Sequence, residues 1–156
     1  MKLVRLICST GLTMALVACA GTNPSEEAPR QVASPETMET LEGTSWQLAD
    51  ASAGVLAELE ASRQVTIAFA AGRASGRGGC NRYSSAYRLD QGRMMFEPVA
   101  ATKMACIGDA DVVERAFFGL LEKPVEASMS GDALVLRAKD GVVLRFVPYK
   151  TTVSEQ

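Results

Sequence analysis

Residues 76–87, "GRGGCNRYSSAY", place a cysteine and an asparagine directly after a glycine-rich turn and directly before an alternating segment. Tyr83 and Tyr87 fall on one face of that segment and the neighbouring arginines fall on the other, which is typical of a half-buried strand. A cysteine in this setting can be a nucleophile, a metal ligand, part of a phosphate-binding loop or one half of a disulfide. The role of Cys80 therefore bears on both the fold and the function.

The composition excludes most catalytic roles for Cys80. The sequence contains no histidine, so Ser-His-Asp triads, Cys-His pairs and histidine-containing zinc sites are excluded. The glycine-rich stretch also lacks the Lys-Ser/Thr ending of a phosphate-binding P-loop. No paired carboxylates stand out. We therefore expect a protein that is not an enzyme and that has no catalytic residues, no metal and no cofactor.

The first residues predict export and lipid attachment. Lys2 and Arg5 precede the apolar stretch "LICSTGLTMALVACA", which is typical of a signal peptide, with a short membrane-anchor helix as the alternative. The ending "LVAC" resembles the lipobox of bacterial lipoproteins. Cys19 is therefore expected to become the first mature residue and to carry acyl chains such as palmitate. Ala20, by resemblance to the sorting rule of enteric bacteria, favours the outer membrane.

These features divide the chain into four parts. Residues 1–18 are the predicted signal peptide, and residues 19–40 are the lipidated cysteine and a tether rich in Pro, Ser, Thr, Glu and Ala. A segment of that composition buries too little apolar surface to offset its ordering entropy, so the sequence predicts flexibility there. Residues 41–149 form the predicted domain and residues 150–156 a C-terminal tail. The domain is expected in the periplasm.

Cys80 and Cys106 are the two cysteines that remain in such a mature domain. Two cysteines in an exported domain most simply form a disulfide. In the chain-entropy model, a bridge between these positions would stabilise the domain by about 3–4 kcal/mol. Two buried free thiols and a redox-active Cys80 are the alternatives.

Short alternating segments separated by turns predict antiparallel strands, with one helix between them. The helix is expected to begin at Asp109 or Asp111 and to end before Pro124, with Glu114 in a capping-box position. Its apolar stripe consists of Val112, Val113, Ala116, Phe117, Leu120 and Leu121. The glycines of "AGR" and "SGRGG" predict breaks between strands. The expected fold class is α+β, an antiparallel curved sheet or open β-barrel packed around one main helix.

Several segments together resemble the META/HslJ domain family: "WQL" at Trp46, then "GRASGRGGCNRYSSAY", "ATKMAC" and the late strand pair "ALVLRAKDGVVLRF". The resemblance covers about residues 41–149. The residues that match the family motifs are Gly79, Cys80, Asn81, Thr102, Met104, Ala105 and Cys106. Ser85 is a departure, since relatives commonly carry glycine there.

The resemblance implies an antiparallel sheet wrapped on a helix. It also implies kinship with stress-induced envelope proteins linked to heat shock and novobiocin resistance. We therefore expect a non-catalytic envelope lipoprotein that supports stress or antibiotic tolerance by binding a lipid, a protein or a small ligand. The alternative is an inhibitor of an envelope-attacking hydrolase such as lysozyme, since small disulfide-bonded β lipoproteins include such inhibitors. Asn81 is expected to be structural.

Charge is distributed unevenly along the chain. The net charge of −2 argues against nucleic acid as a partner. From position 63 to position 103, however, Asp90 and Glu97 are the only acidic residues among many basic ones. Candidate contacts for anionic lipid are Arg73, Arg77, Arg82 and Arg88. A solvated sheet face with arginines alternating outward is the alternative. We expect a monomer that meets the membrane through Cys19.

Overall fold

The structure is a computed structural model, and it describes residues 41–90 and 93–150. The predicted signal peptide, Cys19 and the tether lie outside the described residues, as does most of the predicted C-terminal tail. The elements are β1 (Ser45–Ala51), α1 (Val55–Glu58), a 3₁₀ helix (Glu60–Gln64), β2 (Thr66–Ala70), β3 (Arg73–Arg77), β4 (Arg82–Asp90), β5 (Arg93–Phe96), β6 (Ala100–Ala101), α2 (Ala110–Leu121), β7 (Val125–Ser130), β8 (Ala133–Ala138) and β9 (Val143–Pro148).

The strands form one antiparallel sheet in the order β3-β2-β1-β9-β8-β7-β5-β4. Because β3 also pairs with β4, the sheet closes into an eight-stranded barrel, and the short β6 pairs with β4 beside it. The antiparallel barrel with one main helix confirms the expected fold class. Closure leaves no edge along these eight strands.

The core follows from the alternation of side chains along the strands. Inward residues of β2 and β4, such as Ile67, Phe69 and Tyr83, are buried, as are Leu144 and Phe146 of β9. The predicted stripe on α2 joins the same cluster. Its buried members are Val113, Phe117, Leu120 and Leu121, while Val112 and Ala116 are half-buried. Within the described ranges, no helix has both the length and the apolar character that crossing a bilayer requires.

One prediction about the strands was wrong. The stretch "RASGR", which was expected to be part of a glycine-rich break, is strand β3. A Cβ at Gly76 would collide with the backbone of Thr66 on β2. The glycine therefore permits a close approach of two strands, which is one of the uses of glycine inside a sheet. The same residue, Gly76, therefore predicts a break from the sequence and permits a tight strand contact in the structure.

Candidate functional site

The turn between β3 and β4 is pressed against one side of α2. A Cβ at Gly78 would lie 2.6 Å from ring carbons of Phe118, and a Cβ at Gly79 would lie 2.9 Å from the Ala110 carbonyl oxygen. Gly79 also has a φ of 136°, a conformation that side-chain-bearing residues rarely adopt. Both glycines are therefore required for the turn to reach the helix.

Asn81 holds this turn to a second segment. Its side chain is buried, and its Oδ1 accepts hydrogen bonds from the Thr102 hydroxyl and from the Met104 backbone N–H, both at 2.8 Å. Its Nδ2 donates to Glu114 Oε1 at 2.9 Å. Asn81 therefore joins the turn to residues 102–104 and to α2, and its side-chain partners lie far along the chain rather than in the adjacent backbone.

Glu114 is the residue of this cluster whose role the sequence did not reveal. Its Oε2 accepts from the backbone N–H groups of Cys80 (3.3 Å) and Asn81 (2.5 Å). The capping-box prediction was wrong, because α2 has its N-cap at Asp109, which makes no side-chain cap hydrogen bond. The sequence feature that could have indicated this role is the position of Glu114, one residue after Val113 at the margin of the apolar stripe.

Asp111, the other predicted cap, has a different partner. It forms an ion pair with Arg115 across one helical turn, at 2.7 Å. The hydrogen bond from Arg115 lowers the pKa of this exposed carboxyl. The pair stays on the solvent side of α2 and contributes nothing to the turn.

A disulfide joins Cys80 to Cys106, with the two Cα atoms 5.9 Å apart. The predicted bridge is therefore present, and Cys80 is a crosslink in this structure. Of the other motif residues, Gly79, Asn81, Thr102 and the backbone of Met104 meet around the bridge, whereas Ala105 and the Met104 side chain are exposed. We call this arrangement, formed by Gly78, Gly79, Cys80, Asn81, Cys106 and Glu114, the clamp.

Ser85, which departs from the pattern that the resemblance implies, is accommodated without an unpaired polar atom. It is buried in the barrel, and its hydroxyl lies 2.8 Å from the Ala86 carbonyl oxygen and 2.7 Å from that of Glu97. The departure from the family pattern therefore leaves the fold intact.

Two buried tyrosines line the interior behind the clamp. Tyr83 packs edge-on against Phe117 and Phe118, and its hydroxyl donates to the Thr66 carbonyl oxygen at 3.1 Å. Burial raises the pKa of Tyr83. Burial also raises the pKa of Tyr87, and the neighbouring Glu42 carboxylate adds to that effect.

The four candidate arginines lie on the outer face of β3 and β4 and are exposed. Arg77 stands directly opposite Arg82 in the register of the two strands. Arg73 donates to the Ser84 hydroxyl at 2.8 Å, and Arg88 stands opposite Met95. No carboxylate of the described residues pairs with any of the four. We call this surface the basic wall.

An open groove of about 560 Å³ runs along one side of the basic wall. Its lining includes Gln47, Arg63, Ser75, Arg77, Arg82 and Tyr149. Arg63 pairs with Glu60 at 3.0 Å, whereas Arg77 and Arg82 have no carboxylate partner among the described residues. In the described part of the chain, His, Cys, Asp and Glu side chains nowhere gather in a group of three or more that could hold a metal ion.

Comparison with known proteins identifies the fold and the family. The META domain family matches residues 39–151. The NMR structure of a protein from Burkholderia xenovorans is 24% identical, and the alignment covers 82% of this chain and 97% of that one with a TM-score of 0.63. The crystal structure of a DUF4847 family protein from Bacteroides vulgatus is 14% identical over 74% of this chain and 99% of that one, with a TM-score of 0.50. These likenesses show a shared fold. No curated protein sequence matches the chain.

Proposed function

The chain belongs to the META domain family, and from that premise we propose that it is a non-catalytic, lipid-anchored envelope protein whose barrel binds anionic lipid headgroups on the basic wall. Cys19 is the proposed site of lipid attachment, and the outer membrane, with the domain in the periplasm, is the proposed location. Binding of this kind would support tolerance of envelope stress or of antibiotics, as the family resemblance implies.

The observation that carries the proposal is the register of Arg77 and Arg82. Like charges directly opposite each other on paired strands destabilise a sheet. Outward alternation requires arginines to point to solvent, but it does not require two of them to face each other beside a groove. An anion bound across both guanidinium groups would relieve the repulsion, and arginine is well suited to hold phosphate through paired hydrogen bonds.

The clamp supports a non-catalytic role. Cys80 is held in a disulfide, and the Asn81 side chain is occupied by Thr102, Met104 and Glu114. The polar side chains of the family motifs that meet in the clamp are therefore used to hold the fold together. The basic wall, in contrast, offers donors that no described carboxylate satisfies.

Vesicle binding by the unlipidated chain, residues 20–156, tests the proposal. Each basic residue near an anionic surface contributes about 1 kcal/mol, so Arg77→Gln with Arg82→Gln should weaken binding to phosphatidylglycerol vesicles by roughly thirtyfold. Arg137→Gln with Arg145→Gln is the matched control, because these exposed arginines stand opposite Glu126 and Asp50. Equal binding to neutral and anionic vesicles, or equal loss in both double variants, would exclude the basic wall as the site.

The anchor needs its own test. Cys19→Ala in the full-length chain should prevent lipid attachment and release or mislocalise the protein. Detergent partitioning of cell extracts measures this. A variant that remained quantitatively in the membrane would contradict the role proposed for Cys19.

A further inference from the structure

The loop between β6 and α2 exposes two apolar side chains beside the clamp. Ile107 is 93% exposed and Met104 is 58% exposed, more than the other large apolar side chains of the described residues. Ala105, between Met104 and the bridge, is also exposed. We call residues 104–107 the apolar tip. Isolated exposed apolar residues are common, but two on one short loop are worth explaining.

The apolar tip is held in place rather than free to fold back onto the barrel. The Met104 backbone N–H donates to Asn81 Oδ1 at 2.8 Å, and Cys106 is bonded to Cys80. The backbone is therefore fixed on both sides of Ala105. Because this loop is ordered when the domain folds, contact with a partner would require little further loss of conformational entropy.

Cationic groups flank the apolar tip. The Thr102 backbone N–H donates to the Arg82 carbonyl oxygen at 3.0 Å, and the Arg82 backbone N–H donates to the Thr102 hydroxyl at 3.2 Å. The loop therefore leaves the barrel beside the Arg77–Arg82 pair, and the exposed Lys103 is its next residue. Asp109, the nearest acidic residue along the chain, is the N-cap of α2, where the positive end of the helix dipole offsets its charge.

We infer that the apolar tip inserts into the interfacial region of an anionic bilayer while the basic wall binds the headgroups, an inference that rests on the function proposed above. Apolar insertion and attraction to anionic lipid reinforce each other in interfacial proteins. Met104 and Ile107 form too small a surface for a stable protein interface, which needs about 800 Å² from each partner. Inserted side chains would fix the orientation of the barrel on the membrane.

Quenching by brominated lipid tests the insertion. Residues 20–156 contain the whole closed barrel, and their single tryptophan, Trp46, is buried, so the unsubstituted chain measures the background quenching. Ile107→Trp places an indole at the apolar tip. Lys139→Trp is the control, since the β8–β9 turn lies near Lys123 at the far end of α2, about 18 Å away along the helix. On vesicles of brominated phosphatidylglycerol, the indole at position 107 should be quenched and the one at position 139 should not.

A second variant measures the contribution of the side chain to binding. Ile107→Ser should weaken binding to phosphatidylglycerol vesicles about tenfold at high salt, where electrostatic attraction is screened. An unquenched indole at position 107 in protein that sediments with the vesicles would overturn the insertion and leave the basic wall standing. Equal quenching at positions 107 and 139 would also overturn it. Failure to sediment with anionic vesicles at all would overturn the proposed function and this inference together.

Discussion

The turns of two hairpins in the barrel are held by different kinds of contact. The β8–β9 turn is satisfied locally: the Ala138 N–H donates to the Val142 carbonyl oxygen at 2.8 Å, and the Val142 N–H donates to Asp140 Oδ1 at 3.2 Å. The β3–β4 turn has one such local bond, from the Gly78 N–H to the Asn81 carbonyl oxygen at 2.9 Å. Its other contacts are with residues far along the chain: Glu114, Cys106 and, through the Asn81 side chain, Thr102 and Met104.

The two hairpins also differ in charge. In β8 and β9, Arg137 faces Glu126 and Arg145 faces Asp50 across neighbouring strands. In β3 and β4, Arg77 faces Arg82. A hairpin with glycines in its turn and like charges across its strands has weak local reasons to form. The comparison indicates that distant crosslinks hold the β3–β4 hairpin in a shape that its own sequence does not favour.

Removing the crosslink should have the largest effect. Cys80→Ser with Cys106→Ser should lower the free energy of unfolding of residues 20–156 by about 3–4 kcal/mol, because the unfolded chain is no longer constrained. Urea denaturation measures the difference. Chemical reduction of the unmodified domain should give the same loss. A double variant within about 1 kcal/mol of the unmodified domain would show that the hairpin holds without its bridge.

Asn81→Ala should have the next largest effect. It leaves the Thr102 hydroxyl, the Met104 N–H and Glu114 Oε1 without the buried amide that they bond, so the free energy of unfolding should fall by about 2–3 kcal/mol. Asp140→Ala in the β8–β9 turn removes an exposed side-chain acceptor and should change it by less than about 0.5 kcal/mol. Thermal or urea unfolding of both variants compares the two turns directly. Similar losses in both would contradict the dependence of the β3–β4 turn on distant partners.

The hairpins should also respond differently to alkaline pH. Burial raises the folded-state pKa of Tyr83 above its unfolded value of about 10. The stabilisation by its neutral phenol is therefore present below pH 10 and is lost as the pH rises above that value. Inward residues of β8 and β9, such as Leu134, Leu136 and Leu144, carry no titrating group.

Tyr83→Phe isolates this contribution. The variant loses the hydrogen bond to Thr66 and should be about 1 kcal/mol less stable at pH 8. The difference from the unmodified domain should shrink, and then reverse, as the pH increases past 10. Urea unfolding at a series of pH values, with brief exposure to protect the disulfide, measures this. A difference that stays constant with pH would mean that Tyr83 ionises without cost in the folded protein.

The smallest effect concerns the sign of charge in the basic wall. Arg77→Glu places opposite charges across β3 and β4 and should stabilise the domain by about 0.2–1 kcal/mol, while weakening binding to anionic vesicles. Arg137→Glu creates a like-charge pair with Glu126 and should destabilise it by a similar amount. Stability and vesicle binding would thus move in opposite directions in the first variant. Destabilisation by Arg77→Glu would contradict the inference that Arg77 and Arg82 repel each other across β3 and β4.

Much of the fold follows from local patterns in the sequence. Alternation predicted β4, and the apolar stripe predicted α2, because in both cases a few consecutive residues determine which face is buried. The antiparallel pairing of β5 with β4 agrees with the short spacing of the two strands along the chain. The disulfide could be predicted because Cys80 and Cys106 are the two cysteines of the predicted domain, residues 41–149.

The missed features depend on neighbours that are distant in the chain. From sequence alone Gly76 predicts a break, and only the contact with Thr66 shows why a glycine is needed inside a strand. Likewise Glu114 matches a capping pattern, and only the folded structure shows that it accepts hydrogen bonds from the β3–β4 turn. The sequence singled out Arg77 and Arg82, but their face-to-face position depends on strand register. Register is set by the turn and by the packing of the whole barrel, so it cannot be read from the arginines alone.

Because β1 and β9 are neighbours, the chain could begin at a different strand without changing the order of the strands in the barrel. The Tyr149 N–H donates to the Ser45 carbonyl oxygen at 2.7 Å, so the two ends of the folded domain lie side by side. A short linker from Lys150 to Leu41 could join them, and the chain could be opened between Gly131 and Asp132, both exposed at the β7–β8 turn. Such a circular permutant would keep every strand pairing and the disulfide, while exchanging the end at which a tether or a reporter could be attached.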